Sequence, residues 1–275
     1  MPTWAAARCT SALVPYFKPL EWQGHTLFDG GFKLNCPASC AYSEAQYIWP
    51  DKRCDILLSL GAGSVIDSPR PPAGHKSAVA SDLTDAGGTW DKFVASVSQQ
   101  DRIFRLDPTY SGAGFALDEF RKLNQIERQV YEWILTQSLL LTEVCGQLIA
   151  SLFFFCPLGP IKDGIQAGEI LCRLPTDLTA RQNLVDAMLQ ETDLNLFMVE
   201  YDGKSGKTQV PIPVGSTLRS LRSTAELCFH VQLGNMPVTE EVMIHVKMRM
   251  LNRLEAQFSV WLPISGSPYR GGWTN

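Results

Sequence analysis

A nearly continuous apolar run at residues 56–60 (ILLSL) sets the strongest constraint on the fold of this chain. Such a run is typical of a strand that is buried on both faces of a parallel sheet. Gly61 and Gly63 follow it, and open α/β sheets place their working loops at the carboxyl ends of such strands. A short strand at 26–28 and a helix at about 38–49 precede it. The order strand, helix, strand therefore predicts a βαβ unit.

The second half of the chain has a different pattern. Short β-type runs alternate with turn residues, and the sequence DGKSGK at 202–207 is a signal for a β-hairpin. One helix, at about 179–190, interrupts these strands. We therefore predict a small β-rich, sandwich-like domain over residues 153–275.

The first half is predicted to form an α/β domain over residues 1–152. It includes a linker at 65–88, which is rich in Pro, Gly, Ser and Asp, and a helical region at 117–151 with a break near Gly146. The most apolar window, 138–158, contains Glu143 and Gln147, so a core helix that leads into a buried strand is favoured over a membrane span.

Composition and charge exclude several classes of function. The chain has 24 basic and 28 acidic residues and no basic stripe, so we expect no nucleic-acid partner. None of its eight cysteines forms a C-x-x-C pair and its four histidines do not cluster with cysteines, so we expect no metal site and no cofactor. His230 lies in an apolar run, which favours a buried core histidine. Arg8 interrupts the apolar segment that a signal peptide needs, so we expect a cytoplasmic or peripheral membrane protein with reduced thiols.

The sequence Asp29-Gly30-Gly31 after the first short strand permits two interpretations. Asp-Gly is among the commonest turn dipeptides, so Asp29 can be the polar corner of a tight turn. Alternatively, its carboxylate can act as a general base if a nucleophilic hydroxyl lies within hydrogen-bonding distance. Gly61 and Gly63 also permit two interpretations, because they can bind a phosphate or simply close a tight loop after the strand.

Several segments in a fixed order resemble the C-terminal part of the patatin-like phospholipase (PNPLA) domain. The matching segments are 10–17 (TSALVPYF), 29–31 (DGG), 35–37 (NCP) and 59–63 (SLGAG). In this pattern Ser11 is a packing residue, and Cys36 takes the place of the second asparagine of an N-N-P turn. The resemblance implies that the first half is part of a three-layer α/β patatin-like domain.

The resemblance also implies a lipid acyl hydrolase with a Ser–Asp dyad. Asp29 matches the general base, Gly30 and Gly31 complete its motif, and Asn35 and Pro37 form a supporting turn. The chain contains neither the G-x-S-x-G nucleophile motif nor a G-G-G-x-R-G oxyanion loop, so we expect no nucleophile in it. We therefore expect a truncated chain that is inactive by itself. The alternative is a non-catalytic pseudoenzyme, or a scaffold that binds a partner through the β-rich domain.

The remainder of the chain resembles the region after the patatin-like domain in large fungal patatin-like proteins. The segments that carry this resemblance are 104–108 (FRLDP), 150–155 (ASLFFF) and 168–173 (GEILCR). The expected partners are a lipid or membrane surface, as the source of substrate, and a protein that covers the exposed face of the sheet. The protein partner is expected because two strands alone leave sheet edges and an apolar face unpaired.

Overall fold

The computed structural model describes most of the chain and divides it into two compact units. The described residues are 1–14, 16–65, 86–97, 102–111, 120–173, 178–189, 196–203, 206–212, 228–233, 242–249, 261–267 and 269–271. The first unit comprises 1–50 and 57–136, and the second comprises 51–56 and 137–275.

The first unit is mixed helix and strand. Its elements are α1 (Thr3–Thr10), β1 (Leu20–Trp22), β2 (His25–Leu27), a 3₁₀ turn (Gly30–Phe32), α2 (Ala38–Ile48), β3 (Leu57–Leu60), β4 (Ser64–Val65), α3 (Ala86–Ser96), β5 (Ile103–Leu106), β6 (Thr109–Tyr110), a second 3₁₀ turn (Phe120–Lys122) and α4 (Leu123–Thr136).

Strand β3 pairs with β5, and not with the strand that precedes Asp29. The pair is parallel, with Leu57 opposite Ile103 and Leu60 opposite Leu106. Strand β2 instead forms an antiparallel hairpin with β1, whose turn residues Gln23 and Gly24 both have positive φ. The predicted βαβ unit was therefore wrong about the partner of β3, which is β5 and not the short strand at 26–28. Parallel strands need a crossover connection, and α3 supplies one between β3 and β5.

The core of the first unit lies between this strand pair and helices α2 and α3. Cys36, Ala38, Phe93 and Val97 are buried there, with Leu57 and Ile103 packed against them. Strand β3 is otherwise half-buried and Leu60 is 73% exposed. The predicted burial of β3 on both faces was wrong. Its first three residues are only partly buried, and the side chain of Leu60 at its end faces solvent.

The predicted helices are present with shifted ends. Helix α2 lies where the pattern indicated, and α3 begins at Ala86, inside the predicted linker of 65–88. Residues 66–85 of the predicted linker and 117–119 of the predicted helical region lie outside the described residues. The helical region breaks at Gln137 (φ −102°, ψ 26°), and not near Gly146.

The described residues of the second unit form two antiparallel sheets. Its elements are α5 (Ser138–Ser151), β7 (Phe153–Pro157), β8 (Gln166–Cys172), α6 (Leu178–Leu189), β9 (Phe197–Gly203), β10 (Gly206–Ile212), β11 (Cys228–Leu233), β12 (Val242–Arg249), β13 (Trp261–Pro263) and β14 (Tyr269–Gly271). One sheet has the order β10-β9-β12-β13, with β14 also paired to β12, and the other has the order β11-β8-β7. The predicted hairpin is the β9–β10 pair, in which Gly203 lies opposite Gly206.

Both sheets of the second unit contribute to one hydrophobic core. Phe153, Phe197 and Phe229 come from three different strands, and their ring centroids lie 5.2 to 6.5 Å apart. Helix α6 adds Val185 and Met188 to the same cluster. Alternate residues of β11 are buried, as expected for a strand with one face toward a core.

Helix α5 leads directly into β7, as the apolar window predicted. It buries the stripe Val144, Gln147 and Ala150, and the Nε2 of Gln147 donates to the carbonyl of Pro263 at 3.1 Å. In the described part of the chain, no single helix is long and apolar enough to cross a membrane. Among the described residues, one bent pair of helices, 120–136 with 138–151, meets that criterion together by length and composition.

Candidate active site

Asp29 caps the short 3₁₀ turn that begins at Gly30. Its Oδ1 accepts a hydrogen bond from the N–H of Gly31 at 2.7 Å, so the side chain is held against its own loop. The side chain is half-buried, and its second oxygen makes no hydrogen bond with the described residues. No hydroxyl group of the described residues donates to this carboxylate. The geometry thus presents one carboxylate oxygen that is held and one that is open.

The first resembling segment supports this loop from behind. The N–H of Asp29 donates to the carbonyl of Ala12 at 3.2 Å, and Ala12 is fully buried. The neighbouring Ser11 hydroxyl donates to the carbonyls of Ala7 and Arg8 at the end of α1. The hydroxyl of Ser11 therefore bonds within the end of its own helix and makes no hydrogen bond to Asp29.

The two glycines of the motif have different surroundings. A Cβ on Gly31 would lie 3.1 Å from Oδ1 of Asp29, which is closer than ordinary van der Waals contact. A Cβ on Gly30 would meet nothing within 4 Å. The structure therefore gives a steric reason for the second glycine and none for the first.

A separate set of motif residues lines a cleft of about 410 Å³ in the first unit. The lining consists of residues 35–37, 59–64 and 86–87 with Arg105 and Asp107. The cleft thus brings together the predicted supporting turn, Asn35 and Pro37, and the glycine-rich loop after β3. Asp29, Gly30 and Gly31 are not among the residues that line it.

An ion pair at this cleft joins two motifs that are far apart in sequence. Oδ2 of Asp107 accepts from Nε and Nη2 of Arg105 at 3.1 and 2.8 Å, and its Oδ1 accepts from the N–H of Gly63 at 2.9 Å. Nη1 of Arg105 donates to the hydroxyl of Ser59 at 2.9 Å. The segment FRLDP thus holds the loop of SLGAG in place.

Three backbone amides of the glycine-rich loop, those of Gly61, Gly63 and Ser64, already donate hydrogen bonds within the first unit, so these three do not offer a binding site for a phosphate. The N–H of Gly61 donates to Leu106 and that of Ser64 to Pro108, both across the strand pair. A Cβ on Gly61 would collide with the carboxylate of Asp107, and Gly63 has a φ of +96°. Of the two interpretations left open, the geometry favours a tight loop that closes the strand.

Tyr110 completes the same loop. Its hydroxyl donates to the carbonyl of Ala62 at 2.9 Å. Burial of the side chain, and then the nearby Asp107 carboxylate, raise the pKa of Tyr110 above its ordinary value of 10.0. The phenol is therefore held in its neutral, donating form.

Cys36 lies under this cleft and does not cap helix α2. The helix begins at Ala38 with Pro37 in the capping position and no side-chain cap. Cys36 is 2% exposed, and its Sγ lies 3.5 Å from Nη1 of Arg105 and 4.0 Å from the hydroxyl of Ser59. Cys40 is exposed on the helix, and neither cysteine belongs to a cluster of potential metal ligands among the described residues.

Sequence reasoning missed a second cluster, in the other unit. Glu169, Cys228 and His230 have potential metal-ligand atoms within 4.8 Å of one another. The prediction of a buried core histidine was wrong, since the side chain of His230 is 78% exposed. The alternation of β11 could have shown this, because Phe229 and Val231 take the buried positions on either side of His230.

The chain is similar to known phospholipases over about half of its length. Over 153 residues it is 26% identical to phospholipase A I of Arabidopsis thaliana. This alignment covers 53% of this chain and 12% of that protein. Over 138 residues it is 28% identical to calcium-independent phospholipase A2-gamma of Mus musculus and of Homo sapiens. These alignments cover 48% of this chain and 18% of each relative. The matched part is thus less than a fifth of each relative's length.

No protein-family model matches the chain, and no solved structure matches it at a significant level. The relatives support a relationship to patatin-like phospholipases. The fungal type stays a prediction.

Proposed function

We propose that this chain carries the proton-accepting part of a patatin-like acyl hydrolase for lipid esters, with Asp29 as the general base. The observation that carries the proposal is the half-buried carboxylate of Asp29, held through Oδ1 by Gly31 with its other oxygen open. The similarity to phospholipases over about half the chain supports the class of substrate.

The chemistry assigned to Asp29 is the acceptance of one proton and its return during formation of the acyl-enzyme. In a Ser–Asp dyad, the serine hydroxyl gives its proton to the carboxylate as its oxygen forms a bond to the ester carbonyl carbon. The carboxylic acid then returns that proton to the departing alcohol as the carbon–oxygen ester bond breaks. A carboxylate with one oxygen fixed and one open is suited to receive and return a proton without leaving its place.

The nucleophile is proposed to lie outside these 275 residues. No G-x-S-x-G sequence is present, and no hydroxyl of the described residues donates to Asp29. We therefore propose that the chain by itself does not hydrolyse esters. The oxyanion donors are assigned to the same outside segment, because the amides of Gly61, Gly63 and Ser64 in the loop after β3 already donate within the first unit.

An apolar surface of the first unit supports a lipid or protein partner. At the end of α2, Tyr47, Ile48 and Trp49 are 85%, 56% and 57% exposed. Adjacent exposed aromatic and aliphatic side chains mark surfaces that contact lipid or another protein. We propose that a membrane surface, or further protein that completes the domain, covers this part of α2.

The test compares the chain alone with a chimera. The chimera has the serine-bearing segment of a patatin-like phospholipase fused in frame before residue 1. A fluorophosphonate probe that labels activated serines is expected to leave the chain alone unlabelled and to label the chimera. Labelling of the chimera should be lost in Asp29→Asn and kept in Asp51→Asn, an exposed aspartate of the described chain.

Two results would contradict the proposal. Labelling of the unfused chain that disappears in Asp29→Asn would show that a serine of this chain is activated. Labelling of the chimera that is equally strong with and without the Asp29→Asn substitution would remove Asp29 from catalysis. Lipid binding without labelling of the chimera would instead favour the non-catalytic alternative.

A further inference from the structure

Three side chains with metal-binding atoms meet on the solvent-facing side of the sheet β11-β8-β7. The antiparallel register places His230 of β11 opposite Glu169 of β8. Cys228 lies two residues before His230, so it projects from the same face of its strand. Nδ1 of His230 is 3.0 Å from Oε1 of Glu169, and the ligand atoms of all three residues lie within 4.8 Å of one another.

We propose that Glu169, Cys228 and His230 bind a divalent transition-metal ion, with Zn²⁺ as the favoured ion. The set offers one nitrogen, one sulfur and one oxygen donor, and Zn²⁺ binds all three kinds. Ca²⁺ and Mg²⁺ select oxygen ligands, so the thiol and the imidazole disfavour them. The proposal is independent of the function assigned to Asp29, because it concerns residues of the second unit alone.

The spacing of the donor atoms fits such an ion after small side-chain movements. Zinc bonds of about 2.0–2.1 Å to nitrogen and oxygen, at tetrahedral angles, separate two ligand atoms by about 3.3 Å. A bond of about 2.3 Å to sulfur raises that separation to about 3.5 Å. The contact of 3.0 Å between Glu169 and His230 is already close to this value, and the 4.8 Å limit leaves roughly 1 Å for Cys228 to close.

The backbone that carries the three ligands is held from behind. Ile170, Phe229 and Val231 alternate with the ligands along β8 and β11, and all three are buried in the core of the second unit. On the outer side, His230 is 78% exposed, so an ion reaches the site from solvent. Three protein ligands leave a fourth position for water or for a further side chain.

The test is a titration of the reduced, full-length chain with Co²⁺ and then with Zn²⁺. Co²⁺ bound to a thiolate gives a charge-transfer absorption band, so the band reports on Cys228 directly. We expect one saturable Co²⁺ site for each chain and loss of the band when Zn²⁺ displaces Co²⁺. Excess Ca²⁺ should leave the band unchanged.

Matched variants separate this site from other thiols and imidazoles of the chain. Cys228→Ser should abolish the band, whereas Cys145→Ser, at an exposed cysteine of α5, should retain it. His230→Gln should weaken Co²⁺ binding at least about 10-fold, since loss of even an outer-shell partner costs roughly 10- to 100-fold in metal affinity. His25→Gln, at another exposed histidine, should have no effect.

A second readout does not depend on the absorption band. Zn²⁺ should raise the thermal midpoint of the second unit in the wild-type chain and in Cys145→Ser, and the rise at the same Zn²⁺ concentration should be smaller in His230→Gln. An unchanged band in Cys228→Ser overturns the proposal. So does the absence of a saturable site in the wild-type chain, which would leave Glu169 and His230 as an ordinary hydrogen-bonded pair.

Discussion

Replacement of Asp107 by asparagine tests whether one carboxylate holds the loop after β3 in place. Asp107 uses both of its oxygens, one for the N–H of Gly63 and the other for two N–H groups of Arg105. An asparagine side chain has one acceptor oxygen and one NH₂ donor. In either orientation of the amide, the NH₂ group therefore faces a donor.

The magnitude follows from the burial of the pair. The side chains of Arg105 and Asp107 are 10% and 23% exposed. Loss of one partner costs about 3–5 kcal/mol for a fully buried pair, and exposed pairs contribute only about 0–1 kcal/mol. Because Asp107 is partly exposed and Arg105 keeps its bond to Ser59, we expect a loss of about 2–3 kcal/mol in the local stability of the loop.

Hydrogen exchange with mass spectrometry measures this loss at the loop itself. In Asp107→Asn, peptides that cover 57–65 and 102–111 should exchange roughly 30- to 160-fold faster, the factor that corresponds to about 2–3 kcal/mol. The control is Asp29→Asn, which keeps an acceptor oxygen for the N–H of Gly31. This substitution should change the exchange rate of the same peptides by less than about twofold. Equal exchange of these peptides in Asp107→Asn and the wild-type chain would refute the reasoning.

Two further predictions concern single groups of the first unit. Gly31→Ala forces a Cβ toward the Asp29 carboxylate and should lower the free energy of unfolding by about 1 kcal/mol, as loss of a cap does, whereas Gly30→Ala should change it by less than about 0.5 kcal/mol in urea denaturation. A destabilised Gly30→Ala with an unaffected Gly31→Ala would contradict this. The raised pKa of Tyr110 predicts that its stabilising contribution is fully present below pH 10.0, the unfolded value, and is lost as pH rises through the higher folded pKa. Urea midpoints measured across this range should show the loss in the wild-type chain and not in Tyr110→Phe, and an identical pH dependence in both would count against it.

Local patterns in the sequence predicted most of the elements. The small residues of α2 and the alternating runs of the second half indicated helix and strand correctly, because the period of apolar residues is a property of a short segment. The hairpin at 202–207 was equally local, since its turn dipeptides and flanking strands are adjacent in the chain. The apolar window at 138–158 likewise predicted a helix that leads into a buried strand.

The partners of those elements were not local and could not be derived in the same way. Strand β3 pairs with β5, more than forty residues further on, because a parallel neighbour requires a crossover whose destination no short pattern states. The motif pair of Arg105 and Asp107 with Gly63 could not be predicted for the same reason.

By itself, the sequence determined where helices and strands form, that Asp29 sits in a glycine turn after a short strand, and that no G-x-S-x-G nucleophile is present. Tertiary structure alone decided that the N–H of Asp29 donates to the carbonyl of Ala12, and that Asp29 is not among the residues that line the cleft. It also decided that His230 of β11 lies beside Glu169 of β8. The physical reason is that the direction and the neighbours of a side chain depend on strand register and packing, which join residues distant in the chain.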